Sequence, residues 1–330
     1  MVPVLKTPSS RGNGIGCWAR FQTIDQLLAT LPQGRLQLLQ LDTSPLQIDL
    51  VSYRCEGVEI LFGCPSSPVW LQGRLSPENI TFTFSLSSHT PCRVTHGYRL
   101  SHLTVGGLHH DQEINTVLPE NMVYASLRIS RQLFRDYLQA MQRFDVDQVV
   151  GHNDFLHLPQ TLPPLIAYLQ QFRLGLRQQP ASLLPQPQAQ LILDDLIPLL
   201  INGIPPGGQV PSTNLSAFAR YQLAREAEDY ITAHLQQPLT LKDLCRAIHC
   251  SRRSLFYAFE EVFGVSPMVY LKARRLQAVR SALQLAAPDQ VGVMEVANRF
   301  GFWSSGHFAR DYQQCFGEYP RNTLRRMPTP

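Results

Sequence analysis

The last third of the chain writes one helical pattern twice, and this repeat restricts the fold more than any other feature of the 330 residues. The first copy, SRRSLFYAFEEVFGVSP, starts at Ser251, and the second, SSGHFARDYQQCFGEYP, starts at Ser304. Leu255, Phe259 and Phe263 in one copy match Phe308, Tyr312 and Phe316 in the other, four residues apart each time. Glycine (Gly264, Gly317) and proline (Pro267, Pro320) then follow at the same offsets. Serine is a good N-cap because its hydroxyl accepts from an orphan N–H of the first turn. Apolar residues four apart line one side of a helix, and glycine suits the left-handed residue that ends one. Each copy therefore predicts a capped helix of about three turns, buried along a narrow stripe and open elsewhere.

A short helix precedes each copy. TLKDLCRAIHC offers Thr240 as N-cap with Asp243 three residues on, and leaves His249 and Cys250 for the turn. VGVMEVANRFGFW places Val293, Val296, Ala297 and Phe300 on an apolar side, with Gly301 making the turn and Trp303 expected to wedge into the core. Short helix, tight turn and longer helix describe the helix-turn-helix, whose second helix enters the DNA major groove. The alternative is a helical bundle without a DNA role, which has no reason to repeat caps and stops at a fixed offset. Between the copies, Ser266 caps and Pro267 opens a helix running to about Ala286. About 20 residues make about 30 Å, close to the roughly 34 Å turn of DNA.

Charge agrees with this placement. Residues 1–219 hold 14 basic and 15 acidic side chains, whereas residues 220–330 hold 15 and 10, so the net +4 comes from the repeat-bearing segment. A phosphate-binding surface needs such a surplus. In the first reading helix, the side opposite Leu255 and Phe259 presents Arg252, Arg253, Ser254, Phe256 and Tyr257. Arg253 and Tyr257 are assigned to bases and Arg252 to a phosphate. The second helix offers Ser304, Ser305, His307 and Arg310, with Gly306 contributing no side chain. Lys272, Arg274, Arg275 and Arg321 are phosphate-contact candidates, or else a solvated face.

Upstream the texture differs. GRLQLLQLD, LQIDLVSYRCEG, VEILFGC, ITFTFSLS and NMVYASLRI alternate or run apolar, divided by turn clusters such as Pro65-Ser66-Ser67-Pro68. Short strands at that spacing predict a small barrel or jelly roll. Tyr53, Phe62, Trp70, Phe82, Phe84 and Tyr98 are candidates to line a pocket inside it, or core packing. His109, His110, Asp111 and Glu113 form the one cluster inviting a metal. Adjacent histidines point to opposite faces of a strand, so a polar loop is expected there and no metal or other cofactor is assigned. From Ser130 the pattern turns helical, with further helices near Thr161–Arg177 and Gln186–Ile201. Residues 204–215 read as a linker, after which Ser216 is expected to cap the opening helix of the last domain.

The double helix-turn-helix on a long connecting helix, with GFWSSGHFARDYQQCFGEYP in its second unit, resembles the AraC family of bacterial transcription regulators over about Leu223–Arg326. SRRSLFYAF, LKARRLQAVR and GFW..G.FA.DYQQ.F.E.P...L are most similar to its ethanolamine-utilisation regulators. The resemblance implies a cupin-like sensor domain in the front, dimerisation through its flanking helices, and a base-reading role for Arg310. It makes ethanolamine or a cobalamin a candidate effector.

The expected fold class is α+β. Residues 1–128 form a β-barrel or cupin-like sensor domain, 129–203 a helical segment that dimerises or packs, 204–215 the linker, and 216–330 an all-α domain with two helix-turn-helix units. The expected function is a cytoplasmic transcription activator that binds double-stranded DNA as a homodimer under a small effector and engages RNA polymerase. Alternatives are a cupin-like enzyme fused to a DNA-binding domain, and a regulator controlled by a protein partner. The first 219 residues contain no nucleophile motif, metal spacing or phosphate loop, which argues against the enzyme. No run of eighteen apolar residues and no signal-peptide centre is present, so neither membrane nor export is expected.

Overall fold

Alternation along a strand creates two faces, and the front domain uses them differently. The computed structural model describes residues 14–28, 36–87, 93–107, 113–178, 183–184, 192–211, 215–287 and 291–325. Its strands are β1 (Gly14–Phe21), β2 (Leu36–Gln40), β3 (Ile48–Cys55), β4 (Val58–Pro65), β5 (Val69–Gly73), β6 (Asn79–Ser85), β7 (Arg93–Thr95), β8 (Tyr98–Leu100), β9 (Thr104–Gly106), β10 (Ile114–Leu118), β11 (Tyr124–Ser130), β12 (Phe155–His157) and β13 (Leu183–Leu184). Among the described residues they form an eight-stranded sheet, β12-β9-β6-β11-β4-β3-β1-β13, a three-stranded sheet, β10-β5-β2, and the hairpin β7-β8. Every pairing is antiparallel. The β3–β4 and β7–β8 hairpins close through two residues of positive φ, Glu56-Gly57 and His96-Gly97, the geometry that matches the twist of paired strands.

Ile80 and Phe82 of β6, Leu127 and Ile129 of β11, and Ile60 and Phe62 of β4 face a helical layer. That layer comprises α2 (Arg131–Ala140), α3 (Phe144–His152), α4 (Leu162–Gln178) and the helix Ile197–Gly203, entered through a π-turn at Ile192–Leu196. Phe82 packs 5.9 Å from Phe134 on α2 and Tyr53 meets Phe172 on α4 at 5.2 Å, centroid to centroid. The opposite face of the large sheet turns Thr81, Thr83, Ser85, Ser126 and Arg128 toward the small sheet across a cavity of about 230 Å³. Leu38, Val69 and Leu71 form its far wall, and α1 (Ile24–Leu28) adds Leu27.

Of the two readings open for the six aromatics, pocket lining or core packing, packing holds for most. Tyr53, Phe62 and Phe82 belong to the core under the helices, Trp70 is buried with its Nε1 donating to Asn115 Oδ1 at 2.9 Å, and Tyr98 packs on Phe155. Of the six, Phe84 lines the cavity. The large aromatic area buries more apolar surface against helices, leaving small hydroxyls for the cavity side. β12 and β13 fall in the stretch read as helical and occupy the two edges of the large sheet; strands of three and two residues are too short to show a period. The linker is not free chain throughout, since Ile204 is buried and Gln209 O accepts from His157 N at 2.6 Å. His109, His110 and Asp111 lie outside the described residues, and Glu113 lines the cavity.

The last domain contains the opening helix (Leu215–Ala233), a short helix (Leu241–Ala247), the first reading helix (Arg252–Val262), the connecting helix (Pro267–Leu285), a second short helix (Val293–Arg299), the second reading helix (Ser305–Phe316) and a final turn of helix (Pro320–Arg325). Ser216 lies inside the opening helix instead of capping it, and its Oγ accepts from Arg220 Nη2 at 3.3 Å. Thr240 and Asp243 form a reciprocal capping box, and Ser266 Oγ accepts from Val269 N, as their positions imply. Two cores result. Leu255, Phe259 and Phe263 pack with Tyr270, Leu271 and Ile231, while Phe308, Tyr312 and Phe316 pack with Leu276, Val279 and Leu283.

One charge is buried where the opening and connecting helices meet. Glu228 is 3% exposed, accepts from Tyr270 Oη at 2.8 Å and pairs with Arg225. Burial raises its pKa above the ordinary carboxylate value, opposed by Arg225 and the Tyr270 hydrogen bond. A raised pKa means that the folded chain holds a proton the unfolded chain releases near pH 4.3. Stability from this group is therefore lost as pH rises from there through the folded value. Glu228→Gln keeps an acceptor for Tyr270 and removes the charge. In urea titrations its stability should gain on that of the parent chain as pH rises from about 4 to 7. A difference independent of pH contradicts the assignment.

Candidate nucleic-acid interface

The two reading helices owe their attitude to the stripe they bury. In the first, Leu255, Ala258, Phe259 and Val262 are inside, which leaves Arg252, Arg253, Ser254, Phe256 and Tyr257 exposed. Arg253 lies over the Tyr257 ring, its guanidinium 5.4 Å from the centroid and its Nη2 3.4 Å from the hydroxyl oxygen. This contact stacks the cation on the neighbouring turn and leaves its remaining N–H donors for an acceptor such as a guanine edge. In the second, Phe308, Tyr312, Cys315 and Phe316 are buried, and Ser304, Ser305, His307 and Arg310 are exposed. A Cβ added at Gly306 would meet nothing within 4 Å, so this part of the second unit is open space.

The two units are not built alike at their turns. In the first, His249 takes the left-handed conformation (φ 51°) two residues before the N-cap Ser251. In the second, Gly301 does so (φ 82°), three residues before Ser304. The extra residue changes what fills the turn. Phe302 packs on Phe308 at 5.1 Å, and Trp303, expected in the core, is 75% exposed beside the start of the reading helix. Trp303 is thus a surface residue beside the second reading helix, where the sequence reading expected core; the adjacent Phe302 supplies the aromatic that packs inward.

The phosphate candidates divide. Arg321 is exposed. Lys272 Nζ pairs with Asp311 of the second reading helix at 2.7 Å. Arg274 Nη2 donates to Thr232 Oγ1 at 3.0 Å, and its guanidinium lies over Trp70. Arg275 Nε donates to Leu235 O at 3.1 Å and its Nη2 to Gln237 O. These three side chains brace the connecting helix against its neighbours, and the two arginines spend on protein acceptors donors that a phosphate contact would need.

Capping also differs. Ser251 Oγ accepts from Ser254 N at 3.0 Å, but Ser304 makes no side-chain cap bond although it stands at the N-cap. Ser251→Ala should therefore cost about 1 kcal/mol of stability, and Ser304→Ala less than about 0.5 kcal/mol. Urea denaturation of both variants checks this, and equal losses would show that both serines cap in solution.

No described helix is long and apolar enough to cross a membrane. Residues 244–326 match the family model described as "Helix-turn-helix domain". The "Probable thc operon regulatory protein" of Rhodococcus erythropolis is 43% identical over 106 residues, 32% of each chain. The "XylDLEGF operon transcriptional activator 3" of Pseudomonas putida is 36% identical over 97 residues, 29% of each chain. These matches span about a third of the length of the curated relatives. A solved "probable AraC family transcriptional regulator" from Rhodopseudomonas palustris CGA009 aligns at 37% identity over 33% of this chain and 99% of its own, with a TM-score of 0.30. Through its last third the chain is thus similar in sequence to helix-turn-helix transcriptional regulators, a solved one of them described as AraC family.

Proposed function

We propose that the chain is a transcription activator that grips two successive major-groove faces of one duplex and answers to a small molecule held between its front sheets. The observation that carries this reading is a pair of exposed sets, Arg252, Arg253, Ser254, Phe256 and Tyr257 in one and Ser304, Ser305, His307 and Arg310 in the other, on two reading helices that pack against one 19-residue connecting helix. At 1.5 Å per residue that helix spans about 28 Å, commensurate with the roughly 34 Å repeat of the groove. Arg253 and Tyr257 read bases and Arg252 meets a phosphate in the first unit; Arg310, with Ser304, Ser305 and His307, serves the second. Arg321 is retained as a phosphate contact.

The effector is a compact, mainly apolar molecule with one or two hydrogen-bonding groups, since leucines and valine form one wall of the cavity and hydroxyls with Arg128 the other. A cobalamin far exceeds about 230 Å³; ethanolamine, a small polar cation, would leave the aliphatic wall unused, although Glu113 and Asp154 of the lining offer it carboxylates. The likeness of SRRSLFYAF and GFW..G.FA to ethanolamine-utilisation regulators therefore concerns the reading helices, not the ligand. A homodimer is proposed through α4, which leaves Leu174 47% exposed, and RNA polymerase is the further partner of an activator in the cytoplasm.

Duplexes selected from a random pool by the full chain provide the test. Arg253→Ala and Arg310→Ala should each lose about 1–3 kcal/mol of binding and relax preference at one base position, each in a different half-site. Unchanged binding of both variants in gel shift removes these residues from the interface. A thermal-shift screen of small apolar acids, alcohols and amines on the full chain should raise its melting temperature for at least one class.

A further inference from the structure

Besides the small sheet, whose Leu39, Trp70 and Val117 share a core with the first reading unit, two elements of the front domain belong at once to the cavity wall and to the contact with the reading units. The first is the β7–β8 hairpin. Thr95, His96 and Leu100 line the cavity. From the same hairpin, the His96 ring lies 5.8 Å from that of Tyr221 on the opening helix. Gly97 backs onto Phe218 so closely that a Cβ there would come within 2.5 Å of its ring. Arg99 Nη2 donates to Glu261 Oε1, on the first reading helix, at 2.7 Å, and Arg220 of the opening helix pairs with the same carboxylate.

The second element is α1. Leu27 lines the cavity, while Asp25, two residues earlier, pairs with Arg280 of the connecting helix. Arg280 is 2% exposed, lies 3.2 Å from Glu318 just beyond the second reading helix, and sits 4.4 Å over the Phe316 ring. Each reading unit is thus held from the front domain by an element whose other side is cavity wall. Packed interiors pass a displacement on instead of absorbing it, and a ligand shifts an equilibrium only through contacts that differ between its states. The reading residues stay exposed while both contacts are made. What the contacts govern is the placement of one unit relative to the other, not access to either.

We propose that the β7–β8 hairpin and α1 are paired relays, carrying occupancy of the cavity to the first and second reading units respectively. The proposal rests on the reading of the chain as an effector-controlled regulator. It assigns the signal to two separate routes, one per half-site, that meet at a single ligand.

Hydrogen exchange on the full chain tests the relays without DNA. Arg99→Ala should speed exchange in the opening and first reading helices, and Asp25→Ala in the connecting helix near Arg280 and in residues 313–325, each by at least about fivefold. Ser126→Phe, which fills the cavity from β11, should alter both regions, and Leu71→Ala, which enlarges it, serves if the first does not fold. Folded cavity variants that leave both regions unchanged overturn the proposal. On selected duplexes, the Asp25→Ala/Arg99→Ala pair should change Kd at least about fivefold when both half-sites are present and less than about twofold for one half-site. Equal Kd values for this pair and the parent chain on the full site also overturn it. A parent chain that selects no sequence at all instead defeats the regulator reading beneath it.

Discussion

One helix serves two cores, and the rest of the DNA-binding domain follows from that. Tyr270 and Leu271 of the connecting helix complete the first unit, while Leu276, Val279 and Leu283 complete the second. Neither unit can bury its stripe without this helix, so neither can rotate freely about it. Lys272, Arg275 and Arg280 reinforce the same constraint from the flanks, each bonded to a group outside the helix that bears it. The constraint comes from shared burial more than from helix propensity, and it limits how far the units can turn without fixing their placement outright.

The back domain was legible because its signals are local. A capping residue, a stripe of period four and a left-handed glycine lie within about fifteen residues of one another, and Thr240, Ser251, Ser266, Gly264 and Gly317 occupy the positions those signals assign. The errors fell where two residues compete for one role. Phe302 and Trp303 are both aromatic, and only the backbone at Gly301 decides which turns inward. Lys272, Arg274 and Arg275 look like a solvent-facing basic run until their partners in other helices are known.

The front domain was harder to read for a different reason. Alternation identifies strands and separates their faces, but it does not say which face meets helices and which meets a cavity. The aromatic residues are equally consistent with pocket lining and with core packing from sequence, and most cover the helical side, whereas the hydroxyls between them face the cavity. Contacts between domains were invisible altogether. Asp25 and Arg280 stand 255 residues apart, and no pattern in a single sequence joins them.

The two faces of β6 and β11 carry separable duties. Ile80, Phe82, Leu127 and Ile129 hold the sheet to its helices, while Thr81, Thr83, Ser126 and Arg128, interleaved with them, touch whatever enters the cavity. Substitutions at every second position can therefore remodel chemical preference with little penalty to folding. If the cavity is an effector site as proposed, a lineage built on this sheet is free to change the molecule it admits by drift along one row of side chains, while the opposite row preserves the architecture.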